Sequence, residues 1–136
     1  MRVRAGERDD EIRLLRGIWL EGRIAAGEGR SEEARSWLER ARRGFAARGM
    51  SYDVALALLE EAALLLEEGK TAEARTLAGK LTEVFNGKGV QREALAALRL
   101  FHEAAEREEA TAELARRVLS FLFRARYDQG LRFTES

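Results

Sequence analysis

The sequence contains no proline and no cysteine, and it has a single histidine. Without cysteine the chain can form no disulfide, supplies no thiol nucleophile and offers no zinc–thiolate site. A lone histidine without cysteine also leaves no histidine–cysteine pair and no complete set of zinc ligands. Without proline, the twelve glycines are the strongest signals for interruptions of regular structure, and glycine alone can separate the helices of helical hairpins.

Long apolar runs are missing as well. No run approaches the ~20 apolar residues of a membrane span, and the first twenty residues lack the apolar core of a signal peptide. The formal net charge is zero, so no long-range field attracts nucleic acid or an anionic membrane. The sequence therefore predicts a cytoplasmic protein that binds neither nucleic acid nor membrane.

The remaining composition is that of one globular domain. In 136 residues, 46% are hydrophobic and 35% are charged, which is enough apolar material for a continuous core.

An internal repeat of forty residues runs through the chain. The segment Gly29-Arg30-Ser31-Glu32-Glu33-Ala34-Arg35 recurs as Gly69-Lys70-Thr71-Ala72-Glu73-Ala74-Arg75. A third copy, from Glu109 to Ala115, lies at the same interval without its glycine. Phe45 and Gly49 likewise align with Phe85 and Gly89. So many matches at one spacing indicate a repeat protein.

Each repeat predicts two helices. Apolar residues follow helical spacing, and the predicted helices span residues 10–26, 31–47, 51–68, 71–86, 91–108 and 111–127. Ser31, Thr71 and Thr111 are N-cap residue types. The glycines between helices are suited to the left-handed conformation that ends a helix, namely Gly29, Gly49, Gly69 and Gly89.

On these residues the chain resembles the tetratricopeptide repeat family. The central repeat matches its pattern at Ala62, Leu65, Gly69, Glu73 and Ala74. The first repeat matches at Gly22, Ala25, Gly29, Glu33, Ala34 and Ala41. The third departs from it, with His102 at a small-residue position and Glu109 in place of the glycine.

The resemblance implies an all-α fold of three tetratricopeptide-like hairpins, six antiparallel helices stacked as a short right-handed α-solenoid. The repeats would cover residues 10–48, 49–88 and 89–128, between an N-terminal extension at 1–9 and a C-terminal tail at 129–136.

The sequence carries few groups arranged for chemistry. His102 falls in a predicted packed helix, which favours a structural role. The carboxylates Asp53, Glu60 and Glu67 share one helical face, but the Glu-x-x-His spacing of a carboxylate metal site is absent. No phosphate-binding loop connects a strand to a helix. We therefore expect a protein that is not an enzyme and that uses no metal, organic cofactor or small-molecule substrate.

The first helices of tetratricopeptide hairpins line a concave surface that carries ligand contacts. Mapped onto this chain by the resemblance, that surface would bind a partner protein through Arg16, Arg23, Leu56, Leu59, Ala63, Arg99 and Glu103.

The ends of the stack predict a second kind of contact. Apolar residues surround most of the first predicted helix, and the last one carries them on two sides, so neither has the polar outer face of a solenoid cap. We expect head-to-tail self-association, into a ring, filament or tube, through Ile12, Leu15, Trp19, Leu20, Leu119 and Phe123.

The alternative is a scaffold or regulatory segment of a larger protein, whose neighbouring parts cover these ends. The segment Tyr52-Asp53-Val54-Ala55-Leu56-Ala57 looks like tetratricopeptide-like arrays in bacterial transcription regulators. Such a segment would bind a different protein on its concave face. The C-terminal residues Leu131-Arg132-Phe133 offer a partial cover of the stack end.

Overall fold

The computed structural model describes residues 5–126, and every regular element in that range is a helix. The seven helices are α1 (Ala5–Gly27), α2 (Ser31–Ala47), α3 (Ser51–Glu67), α4 (Thr71–Ala78), α5 (Leu81–Phe85), α6 (Arg92–Glu106) and α7 (Ala112–Ala125). The all-α prediction is therefore confirmed for this part of the chain. The predicted tail at 129–136, with its partial cover, lies outside the described residues. Across residues 5–126, no helix combines the length and hydropathy that a membrane crossing requires.

Two helices differ from the sequence-based prediction. The first includes residues 5–9, which the prediction assigned to an N-terminal extension. The fourth, predicted to run from 71 to 86, is interrupted at Gly79 and Lys80. Here the amide of Lys80 bonds to the carbonyl of Leu77 and that of Thr82 to Gly79, which is tighter than the α-helical pattern. The Thr82 hydroxyl also donates to the Gly79 carbonyl at 3.0 Å, and glycine is a weak helix former, so the break has a local cause.

The predicted left-handed glycines are confirmed. Gly29, Gly49, Gly69 and Gly89 have φ of 78°, 67°, 76° and 86°. After Gly29 the amide of Arg30 bonds back to the carbonyl of Ala25 at 2.9 Å, which closes a Schellman motif at the end of α1.

The third repeat makes the same turn without glycine. Glu108 has φ 56°, and the amide of Glu109 bonds to the carbonyl of Ala104 at 2.8 Å. The left-handed position is therefore Glu108, one residue before the Glu109 that the forty-residue alignment indicated.

Only one of the three predicted N-caps makes the capping hydrogen bond. Thr111 accepts from the amide of Leu114 at 3.1 Å. Ser31 and Thr71 are instead the first residues of their helices, and the cap positions belong to Arg30 and Lys70. The turns at Gly29 and Gly69 place the next residue at the N-cap. The hydroxyls of Ser31 and Thr71 therefore lie one position inside their helices.

Helix α3 lies at the centre of the domain. From Asp53 to Leu65 every residue is buried except Glu60, which is partly buried. A helix that is buried around its whole circumference is enclosed by other helices. It packs against α2, α4, α5 and α7.

Helix α7 turns back onto α3 and runs antiparallel to it. Its last turn meets the start of α3, where Tyr52 donates a hydrogen bond to the carbonyl of Leu122 and Arg126 pairs with Asp53 at 2.9 Å. Its first half meets the end of α3, where Arg116 pairs with Glu67. Consequently α7 contacts α3 more extensively than it contacts α6, the helix that precedes it.

The strained turn at Glu108 gives a test of the backbone. A non-glycine residue in the left-handed region costs free energy, so Glu108→Gly should raise the free energy of unfolding by about 1 kcal/mol. Urea unfolding of both chains measures this difference. The neighbouring Glu109→Gly serves as the control and should not stabilise the domain, because Glu109 is not in that region. Equal effects of the two substitutions would contradict the assignment.

Candidate interaction surfaces

An aromatic cluster joins the first helix to the last. The rings of Trp19 and Phe123 stack with centroids 5.8 Å apart and planes 18° from parallel. The guanidinium of Arg23 lies 5.3 Å from the centroid of Trp19 and 5.2 Å from that of Phe123. An arginine over two aromatic faces adds a cation–π attraction to the stacking.

Glu60 lies beneath this cluster in a poorly hydrated position. Its side chain is 10% exposed and its Oε1 is 3.3 Å from Arg23 Nε. Burial raises the pKa of Glu60 to about 7, against the opposing effects of the Arg23 charge and the Trp19 indole. Neither Glu60 Oε1 nor Trp19 Nε1 has a hydrogen bond of full geometry. An open groove of about 170 Å³ borders Glu60 between α1, α2, α3 and α7, with Ala63 and Leu119 on its walls.

The adjacent Glu61 points to a different neighbour. It accepts two hydrogen bonds from Arg42 of α2, at 2.6 Å from Nε and 3.4 Å from Nη2. Both side chains are buried. Burial raises the pKa of Glu61 to about 7, and the hydrogen bond and charge of Arg42 oppose that shift.

His102 occupies a structural position. Its ring meets that of Phe85 edge to face, with centroids 5.7 Å apart, and its Nε2 lies 3.5 Å from Glu106 of the same helix. Among residues 5–126, no three histidine or acidic side chains are grouped so that they could hold a metal ion.

The residues predicted for self-association are divided between the core and the surface. Leu15 is buried and Ile12 is partly buried beside the α2–α3 connection. Trp19, Leu119 and Phe123 are partly buried against the core of their own chain. Leu20 alone of the six is exposed, at 53%. Leu119 and Phe123 of α7 lie against α1 and α3 of the same chain and are partly buried there, and their contact with another chain stays a prediction.

The predicted concave surface also needs correction. Leu56, Leu59 and Ala63 are 1%, 0% and 4% exposed and are not free to contact a partner. Helical spacing places them on the same side of α3 as Tyr52 and Glu67, which contact α7. In this structure α7 covers the side of α3 that a partner was expected to occupy.

The charged members of that predicted surface are separated. Arg16 and Glu103 are exposed, Arg23 belongs to the aromatic cluster, and Arg99 lies 4.7 Å from the ring centroid of Phe85 on α5. No single site brings these four described side chains together.

The sequence reasoning left two exposed apolar residues out of its candidate sites. Leu14 and Ile24 of α1 are 64% and 46% exposed, and with Leu20 they are the exposed large apolar side chains of the described chain. Their exposure could have been predicted from the spread of apolar residues around α1, because one neighbouring helix can bury only part of the circumference of a helix.

Comparisons of the chain with models of protein families, with curated proteins and with solved structures found no match.

The raised pKa of Glu60 predicts a pH-dependent stability. The folded state holds this proton more tightly than the unfolded chain, whose glutamate pKa is near 4.5. The stabilisation that protonated Glu60 gives the folded state is therefore fully present below about pH 4.5 and is lost as the pH rises through about 7. The side chain introduced by Glu60→Gln is neutral at every pH, and the Arg23 charge that it leaves unpaired is half-exposed to water. At pH 8 the variant should therefore have a free energy of unfolding about 1–3 kcal/mol higher than wild type. At pH 4.5 the difference should nearly vanish.

Chemical unfolding of both chains between pH 4.5 and pH 8 measures this contribution. Glu73→Gln replaces an exposed glutamate and is the matched control. If both substitutions change the pH profile equally, burial of Glu60 is not the cause.

Proposed function

We propose that this chain is a non-enzymatic, protein-binding helical domain that associates with copies of itself through the outer face of α1. The main support is the exposure of Leu14, Leu20 and Ile24 on one helix. The other large apolar side chains of the described residues are buried or partly buried. Exposed apolar side chains that share a face typically mark a contact with another protein.

Under this proposal the chain keeps the tetratricopeptide-like stack of three hairpins that its repeats predict, with the last helix turned back onto it. The zero net charge favours a protein partner over nucleic acid or an anionic membrane. Head-to-tail growth through Leu119 and Phe123 has less support, because both side chains already pack within their own chain.

A second candidate is a repeat segment of a larger protein, in which a neighbouring helix covers the outer face of α1. The same exposed residues favour it. Binding of a different protein on the concave face is supported only by charged side chains, because its apolar members are buried.

Sedimentation velocity tests the proposal over a concentration range of about 10 µM to about 1 mM. Wild type should sediment faster as its concentration rises, whereas Leu20→Glu should stay monomeric because the contact would enclose an unpaired charge. Ala96→Glu, at an exposed position of α6, is the matched control and should behave as wild type.

The other outcomes separate the candidates. A wild type that stays monomeric over the whole concentration range would contradict self-association and favour a repeat segment of a larger protein. Phe123→Glu should lower the melting temperature, since it removes the stack on Trp19. If Phe123→Glu folds but does not associate as wild type does, while Leu20→Glu associates normally, the result would support the head-to-tail contact instead.

A further inference from the structure

The free side of α1 points away from both helices that pack on it. Helix α2 covers the side of Gly22, where an added Cβ atom would lie 2.8 Å from the Leu38 side chain, and α7 reaches the side of Trp19. At about 100° per residue, three exposed residues fall within about 60° of one another on the remaining side. This row, which we call the α1 seam, consists of Gly17, Leu20 and Ile24.

The α1 seam has the spacing along which two helices pack. Steps of three and four residues separate its members, and this alternation defines the contact line of a coiled coil. A Cβ atom at Gly17 would meet nothing within 4 Å, so the described chain leaves this line open. The α1 seam therefore fits a second helix that carries a similar row.

Charges of opposite sign flank the α1 seam. Arg16 lies about 70° to one side of its midline, and Glu21 lies about 70° to the other. Both side chains are exposed, and neither forms an ion pair with another residue of the range 5–126. Seven residues further along, Arg23 and Glu28 repeat the same signs on the same flanks. The α1 seam thus has a basic flank and an acidic flank.

The flanks distinguish the two orientations in which a second α1 could pack. If two identical helices run antiparallel about a two-fold axis, each flank faces the same flank of the partner, so like charges meet. If they run parallel, each flank faces the opposite flank. Arg16 of each chain then lies beside Glu21 of the other, five residues further along, and such flanking charges set the orientation of helix pairs.

We propose that the partner of the α1 seam is the same seam of a second copy, with the two helices parallel and the two-fold axis running along them. The inference rests on the self-association proposed above and specifies the orientation of the partner. Leu20 and Ile24 pack against their own copies beside the axis, and Gly17 adds no side chain between the backbones. Two Arg16–Glu21 pairs, one on each side, complete the contact.

The contact is confined to the second half of α1. The next position of the row toward the N-terminus is Arg13, which meets its own copy across the axis. Asp10 of the same chain lies 3.9 Å from Arg13 and offsets part of this repulsion, and the two side chains are 78% and 81% exposed to water. Leu14, seven residues before Glu21 on the same flank, lies at the margin of the contact.

The two-fold axis also limits the assembly. A two-fold contact uses the same patch on both chains and is complete in a dimer, so it does not grow into a filament. A single helix pair buries less than the roughly 1,200–2,000 Å² of a standard interface. We therefore expect a weak dimer whose affinity falls as the salt concentration rises.

Disulfide cross-linking tests the parallel direction, and the chain has no cysteine of its own. In a parallel pair every seam position meets its own copy, so Gly17→Cys and Ile24→Cys should each form a cross-linked dimer under mild oxidation. These positions are about 10.5 Å apart along the helix, so an antiparallel pair could cross-link at most one of them to its own copy. Ala96→Cys, at an exposed position of α6, is the control and should stay monomeric. Cross-linking of Gly17→Cys to Ile24→Cys in a mixture, with neither variant cross-linking alone, would overturn the parallel direction.

Charge exchange tests the flanks. Arg16→Glu and Glu21→Arg each set like charges opposite each other twice, so each variant should have a dissociation constant at least about tenfold above wild type. An equimolar mixture of the two should associate as wild type does, because every pair across the axis is then complementary. The double substitution in one chain should dimerise for the same reason. Arg92→Glu, an exposed charge change on α6, is the control and should not alter the affinity.

Sedimentation equilibrium of each variant and of the mixture gives these affinities, with circular dichroism as the check on folding. Association that both single charge variants leave unchanged, or assembly beyond a dimer, would overturn the parallel pair and leave self-association standing. A monomeric wild type, without cross-linking at either seam position, would overturn the proposed function as well.

Discussion

The enclosure of α3 is the constraint on which the rest of the structure depends. Its side chains are buried around the whole circumference between Asp53 and Leu65, so helices must cover every side. Three residues of this buried stretch are acidic and need partners, because an unpaired buried charge is costly. Each pairs with an arginine from a different part of the chain: Asp53 with Arg126, which follows α7, Glu60 with Arg23 of α1, and Glu61 with Arg42 of α2.

These ion pairs help to determine which helices pack against α3, and therefore which surfaces of the domain stay exposed. Because α7 pairs with Asp53 and Glu67, it occupies the side of α3 that an open stack would leave for a partner. Phe123 is thereby brought to Trp19, and the first and last described helices meet within one molecule. Within residues 5–126, no helix covers the outer face of α1 with Leu14 and Leu20.

The sequence predicts the helices and turns well because their signals are local. Helical periodicity and the left-handed glycines place most helix ends within two residues. The break at Gly79 and the shift of the third turn to Glu108 were missed, because the repeat alignment imposed the same length on every unit. A hydrogen bond from the Thr82 hydroxyl accompanies the break at Gly79, and the third repeat reaches its turn one residue early, so neither unit follows the repeat length.

The position of α7 could not be predicted, because it depends on contacts between residues far apart in the sequence, such as Tyr52 with Leu122 and Glu67 with Arg116. Apolar stripes on α1 and α7 indicate that both need a partner, and they do not say whether that partner belongs to the same chain. Trp19 and Phe123, which the sequence analysis assigned to contacts between chains, stack on each other. Their contact is intramolecular in the structure, and the exposed large apolar side chains lie on α1.

An isotope-filtered nuclear Overhauser experiment on the rings of Trp19 and Phe123 tests this account most directly. Its sample is an equal mixture of labelled and unlabelled chains, in which the filter retains contacts between chains. The rings stack at 5.8 Å within one chain. We therefore expect their cross-peak in the fully labelled protein at every concentration and no cross-peak in the filtered experiment on the mixture. A filtered cross-peak that grows with concentration would contradict the account, since the last helix would then belong to the neighbouring chain.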